Sequence, residues 1–320
     1  MLAFLCRENI LMQTGLFARK FLASSSPLAS IPLPSARETH FWYIMPDEVH
    51  NASLLNQYLE LLSPCERENV LRMKGDKLQK RALLARVLVR TTLARYTNSQ
   101  VSPSAFNFRK NLFGKPEVLW QHYENWEPPP LHFNLSHTSS LIACGVAVDI
   151  PIGIDVEEKQ RRLRSDILSF ARRYFSRHEV EFLHNISDPD IRRQEFIKLW
   201  TLKEAYVKAL GRGFSAAPFR TFTIQSRASK GLQISSETSS DELQIVLESS
   251  DDSGNLTDNW QFALFELASS HYAAICVEKD VNIKGKGSSS LRLKVWKTLP
   301  FVEDVCVSGT EEIVSISGLS

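Results

Sequence analysis

Ser63 and Ser176 each stand three residues ahead of a glutamate, in SPCERENVLRM and SRHEVEFL. An S-x-x-E box of this kind caps a helix start, the serine and the acid each satisfying a backbone N–H of the first turn. Each box opens a short helix followed by a longer one, and this doubling constrains the fold more than any other feature of the chain. It suggests two copies of a similar α/β unit, although no long identical stretch accompanies them. Around the first copy, HFWYIMP from His40 reads as a strand and NASLLNQYLELLSP as a helix. KLQKRALLARVLVRTTLARY reads as a long helix with Leu83, Leu84, Val87, Leu88 and Thr91 on one face. PSAFNFRKNLFGKPEV reads as strand, turn and strand, and LIACGVAV as a buried strand that Asp149 to Ile152 turn back into GIDVE as a β-hairpin. In the second copy a long helix runs through Leu199, Leu202, Ala205 and Ala209. After it, FRTFTIQS, LQIVLES, WQFALFEL and HYAAICVE read as an antiparallel meander.

Chemistry concentrates at two places. Asp155 and Glu157, two apart on a strand, share one face, with Ile154 and Val156 on the other. Carboxylates this close repel unless a cation lies between them, and their hard oxygens suit Mg²⁺; the plainer account is a solvated strand end. In FIKLWTLKEAYVKALGRG, Trp200, Glu204 and Lys208 fall at steps of four and share a helix face, with Lys203 on the flank and Gly211 and Gly213 as a stop. Glu204 would add a third carboxylate and the lysines would meet phosphate charge; an exposed Glu–Lys pair explains the same letters without chemistry. Ser136 and His137, adjacent on a strand, point to opposite faces, so a serine hydrolase is a poor reading. A hydroxyl and an imidazole at a strand mouth suit phosphate oxygens, and a structural histidine suits the position equally well. Gly114-Lys115-Pro116 gives a tight turn with an exposed lysine, or an ordinary hairpin.

FNLSH, GIDVEE and the helix FIKLWTLKEAYVKALGRG, with SPCERENVLRM and FGKP upstream, closely resemble the Sfp-type 4′-phosphopantetheinyl transferases from about His40 to Lys279. The resemblance implies an α/β (α+β) fold of two pseudo-symmetric subdomains, each an antiparallel sheet packed with helices. They are expected at 38–150 and 151–282, with a transit or disordered segment at 1–37 and a tail at 283–320. It implies transfer of the phosphopantetheine arm of coenzyme A to a serine of an apo acyl or peptidyl carrier protein, with release of 3′,5′-ADP. By the same resemblance Asp155 and Glu204 hold Mg²⁺, with Glu157 assisting, and Glu204 is the base for the carrier serine. Lys208 neutralises the departing phosphate and Lys203 binds the diphosphate, while Lys115, Ser136 and His137 grip the coenzyme's phosphates with help from Lys110.

One departure concerns the 3′-phosphate of the coenzyme. Relatives place basic residues where this chain has Glu66 and Asn69, which leaves Arg67 or Arg72 as substitutes. The carrier partner is acidic by the same resemblance, and KQRRLR from Lys159 to Arg164, with Arg172 and Arg173, forms a basic run able to dock it. Two other readings remain: a Mg²⁺-dependent coenzyme A phosphohydrolase that ignores the carrier, and a non-catalytic binding module. A net charge of +2, and little aromatic interleaving in the Arg-rich helix from Arg81 to Arg95, argue against a nucleic-acid partner. No apolar run approaches the roughly 20 residues of a membrane span, and no C-x-x-C pair suggests zinc. From Met12 to Ala36 the chain is cationic, Ser-rich and free of acids, the composition of an organellar address. A mitochondrial location is expected, with plastid or cytosol as alternatives.

Overall fold

The computed structural model describes residues 28–121, 126–162, 166–213, 218–227, 242–247, 260–279, 291–308 and 313–315. Most of the segment with transit-peptide composition, 1–27, lies outside them. The chain divides into two compact units, Met1–Asp149 with Leu293–Val307, and Ile150–Arg292 with Ser308–Ser320. Among the described residues, no helix is long and apolar enough to cross a membrane.

In the first unit, strand β1 (Glu38–Ile44) leads to helices α1 (Ala52–Leu59), α2 (Pro64–Leu71) and α3 (Asp76–Arg95). Local chemistry sets their starts. Asn51 accepts from the Leu54 N–H, Ser63 and Glu66 close the expected capping box over Pro64, and Gly75 turns into α3 at a φ of 99°. Strands β2 (Asn107–Lys110) and β3 (Pro116–Leu119) form the expected hairpin. Strands β4 (Leu131–His137) and β5 (Ile142–Val148) pair with each other, and β5 pairs also with β1, both antiparallel.

Two expectations change here. Helix α3 is not a one-sided amphipathic helix: every residue from Ala82 to Arg95 is buried, with Arg86, Arg90 and Arg95 among them. The segment set apart as a tail contributes β11 (Arg292–Leu299) and β12 (Glu303–Cys306), giving a sheet in the order β12-β11-β1-β5-β4. Trp296 of β11 stacks on Trp42 of β1 at 4.6 Å between ring centroids. An aromatic seam of this kind gives a late strand a large apolar reason to join an early one. Residues 28–36 also belong to this unit. Leu28 and Ile31 pack against its core, and the Ile31 N–H donates to the Arg95 carbonyl.

The second unit begins with β6 (Ile152–Glu158) and continues through α4 (Ile167–Tyr174), α5 (Arg177–Asn185) and α6 (Pro189–Leu210). Ser176 and Glu179 form the second capping box, and Asp188 caps α6 by accepting from Asp190 and Ile191. Gly211 ends that helix in the left-handed conformation, at a φ of 63°. Strands β7 (Phe222–Arg227) and β8 (Glu242–Leu247) pair as one two-stranded sheet. Strands β9 (Trp260–Leu267), β10 (His271–Glu278) and β13 (Ile313–Ser315) join β6 in the order β13-β9-β10-β6. The expected meander is therefore split between two sheets.

The hairpin expected between LIACGVAV and GIDVE does not form. Strand β5 already has β1 and β4 on its two edges, and β6 takes β10 as its partner, so Asp149 to Pro151 link two sheets rather than two neighbours in one.

Candidate active site

Gly153 seats the site. A Cβ at this position would lie 2.0 Å from the Ala205 carbonyl oxygen and 2.2 Å from the Ala209 nitrogen, so any side chain would drive β6 off α6. The strand backbone therefore lies directly on the helix backbone. Residues two apart on a strand share a face, so Asp155 and Glu157 follow Gly153 toward α6. On the helix, Glu204 and Lys208 each precede one of the two alanines that Gly153 touches. The result is a contact between Lys208 Nζ and Asp155 Oδ1 at 2.6 Å, with the Asp155 side chain buried and that of Lys208 27% exposed.

The charges around this contact respond to one another. Burial, and then the charge of Asp155, push the Glu157 carboxyl up to about 8, against the opposing pull of Arg161 and Lys208. Burial and Asp155 raise Glu204 in the same way, and Lys208 and Arg161 again oppose the shift. Burial works against the charge of Lys208, but Asp155, Glu204 and Glu157 outweigh it and hold the ammonium above its usual range. Three acids and two cations thus share one electrostatic field. The second cation, Arg161, donates from Nη1 to Glu157 Oε1 and stands 5.3 Å over the Trp200 ring. Among the described residues, no group of three or more His, Cys, Asp or Glu side chains is drawn together closely enough to hold a metal ion. Each acid whose partner is seen has turned to a cation of its own chain, Asp155 to Lys208 and Glu157 to Arg161, and like-charged oxygens have no reason to converge.

This is the region that known proteins share. Residues 151–275 match the 4′-phosphopantetheinyl transferase superfamily, and residues 50–147 match the family described as 4′-phosphopantetheinyl transferase, N-terminal. The 4′-phosphopantetheinyl transferase Sfp of Bacillus subtilis (strain 168) is 31% identical over 169 residues, covering 53% of this chain and 68% of that protein. The 4′-phosphopantetheinyl transferase HetI of Nostoc sp. (strain PCC 7120) is 34% identical over 179 residues, covering 56% and 70%. The chain belongs to the 4′-phosphopantetheinyl transferase family. A longer match, 27% identical over 248 residues and covering 74% of this chain and 76% of the relative, is a phosphopantetheinyl transferase of Thraustochytrium sp..

Within this transferase, Lys203 departs from its expected role. Its side chain is fully buried, donating from Nζ to Glu179 Oε1 at 2.7 Å and to the Phe222 carbonyl at 2.6 Å, and lying 4.0 Å over the Phe222 ring. Successive helix residues diverge by about 100°. If Glu204 faces the strand, Lys203 faces α5 and β7, so it anchors the helix instead of reaching a diphosphate. Trp200 shares the Glu204 row as expected, and its ring packs among Phe170, Phe196 and Phe219.

The residues expected to grip the coenzyme's phosphates, Lys110, Lys115, Ser136 and His137, belong to the first unit. Lys110 closes β2 and is exposed. Asn111 Oδ1 accepts from the backbone N–H groups of Phe113 and Lys115, which shapes the turn around Gly114. On β4, Ser136 is buried and His137 exposed, the alternation expected of neighbours on a strand. The substitutes for the 3′-phosphate contact are engaged elsewhere: Arg67 on the Leu59 carbonyl and Glu60, Arg72 on Asn69 and Glu68. The basic run is also partly committed, since Lys159 pairs with Glu266 and Arg161 with Glu157. Arg161 is the site residue the sequence reading missed. Its only signal was a spacing of four from Glu157, which the turn after β6 converts into contact.

Proposed function

We propose that the transferase moves the 4′-phosphopantetheine group of coenzyme A to a serine of an apo acyl carrier protein, releasing 3′,5′-ADP. The observation that carries this reading is the Lys208–Asp155 contact beside Glu204, seated by Gly153. Glu204 accepts the proton of the carrier serine as its oxygen bonds to phosphorus. Burial and the Asp155 charge raise its proton affinity toward working pH, where a general base is most effective. Lys208, kept charged by its three acids, meets the negative charge that develops on the departing phosphate. Lys110, Lys115, Ser136 and His137 bind the coenzyme's phosphates on this reading.

The donor set fits Mg²⁺: three carboxylates stand against two cations, and burial together with the Asp155 charge pushes Glu157 and Glu204 toward their neutral forms, a cost that a divalent ion offsets. Asp155, Glu157 and Glu204 would hold it. When bound, the ion draws charge from the phosphoryl oxygens of the coenzyme. For the acidic carrier, Arg162, Arg172 and Arg173 remain exposed as a docking surface. We propose a mitochondrial location from the cationic, Ser-rich and acid-free composition of Met12 to Ala36.

Mass spectrometry of an apo carrier incubated with the enzyme, coenzyme A and Mg²⁺ tests the reaction. The carrier gains the phosphopantetheine mass with wild type and not with Glu204→Gln. Release of 3′,5′-ADP at the same rate without carrier would overturn transfer in favour of hydrolysis.

A further inference from the structure

Among the described residues, Arg161 is held less firmly than the cations that tie the cores of the two units together. Arg90 grips Glu66 through two nitrogens and donates to the carbonyls of Pro103 and Phe106; Arg95 takes both oxygens of Asp304; Lys203 is fully enclosed. Arg161 is 35% exposed, and its guanidinium is held by one carboxylate oxygen and one ring face. It emerges just past the end of β6, in the turn where its N–H donates to the Glu158 carbonyl, so the side chain has open solvent beside it. A partly exposed ion pair is weakly bound, because water screens it and both side chains lose freedom in forming it. A cation–π contact at such a site adds little more.

We infer that Arg161 is a resident counter-ion of the carboxylate site, which a divalent cation displaces from Glu157 on binding. This rests on the reading of Asp155, Glu157 and Glu204 as the metal-holding set. Glu157 cannot give the same oxygen fully to a guanidinium and to a metal ion, so the two compete. The charge of Arg161 is felt by Glu204 as well as Glu157, so its departure leaves both acids to the incoming ion. The device keeps the acids compensated before the metal arrives and makes metal affinity a difference between two cations. As the guanidinium leaves, the Trp200 ring loses its cationic neighbour, which gives the exchange an optical readout.

Calorimetric titration of the full chain with Mg²⁺, and separately with Mn²⁺, at constant ionic strength and without coenzyme A tests the exchange. Arg161→Met is expected to bind either ion roughly tenfold more tightly than wild type. Arg161→Lys, which keeps the charge and loses the fork, should fall between the two and guards against misfolding of the methionine variant. Tryptophan emission should change on titration in wild type and not in Trp200→Phe. Equal or weaker binding by Arg161→Met, with wild type binding, would overturn the exchange and leave the metal site standing. Failure of both proteins to bind either ion would overturn the metal-holding set and this inference with it.

Discussion

The two units contain one framework in two states. In the first, the capping-box acid Glu66 meets Arg90, 24 residues later on the long helix; in the second, Glu179 meets Lys203 across the same interval. Five residues further along each helix a second cation meets a strand aspartate: Arg95 holds Asp304, and Lys208 holds Asp155. The pairs in the first unit are arginines with forked, multiply bonded geometry, the form that suits permanent ties. Those in the second unit are lysines: Lys203 is enclosed as firmly as the arginines, while the part-exposed Lys208 has no fixed fork and can take new partners. Between the two cations the first unit has Thr91, which donates to the Val87 carbonyl of its own helix, and the second has Glu204. On the proposed function, a structural ion pair and a reactive one differ less in fold than in whether a further acid has been placed beside it.

Glu204→Thr makes the second unit resemble the first and gives the largest expected effect. Carrier modification should slow by about 10²- to 10⁴-fold, the usual worth of a positioned proton acceptor. The melting temperature should hold or rise, because a buried carboxyl with raised proton affinity costs stability when ionised. Rate measurement and thermal unfolding check both halves. Retention of more than a tenth of the activity would remove Glu204 from the role.

Next in size are the anchors. Glu66→Ala strands Arg90 and Glu179→Ala strands Lys203, all four side chains being almost fully buried. Breaking a buried pair from one side costs about 3–5 kcal/mol, so both variants should unfold at clearly lower denaturant concentrations. Glu179→Ala should also slow transfer at temperatures where it remains folded. Glu179 accepts from the Ser176 and Ile224 N–H groups as well as Lys203, and so fixes the helix that carries Glu204. If only stability fell, Lys203 would be an anchor with no bearing on the reacting groups.

The parts of this framework that sequence made legible are those written in neighbouring residues. Ser63, Ser176 and Gly211 mark helix ends because caps act over three or four positions. The common face of Asp155 and Glu157 follows from the strand period alone. Strand partnership was not legible: β5 and β6 are joined by a turn short enough for a hairpin, yet which edges stay open depends on β1, β4 and β10. The fate of β11 rested on Trp296 finding Trp42, more than two hundred residues away in the chain. Lys203 was misplaced because a motif read as letters sets it beside Glu204, while the helix turns the two apart. The contact of Arg161 with Glu157 was not legible because a run of basic residues reads as surface until the turn after β6 is known. The 24-residue interval between box acid and cation was present in both halves, and it is the one long-range signal that could have been found.

The pH dependence of stability separates the units by sign. Glu157 titrates near 8 in the folded chain, above its ordinary 4.5, so between those values the folded state holds more protons than the unfolded. Stability therefore falls as pH rises through that window, by at most about 1.4 kcal/mol per pH unit for one proton, and Glu157→Gln should flatten the decline. In the first unit Glu38 runs the other way. Burial disfavours its charge, but hydrogen bonds from Lys294, Ser35 and His40 prevail and bring it down to about 2. Its contribution is complete above 4.5 and is lost as pH falls toward 2. Lys294→Ala removes the leading favourable partner, so it should shrink that acid loss while costing less than about 1 kcal/mol at neutral pH, because the Lys294 side chain is 54% exposed. Melting temperatures of wild type and both variants from pH 3 to 9 decide the matter. Slopes of the same sign in the two windows would mean that the units do not differ in how their acids are compensated.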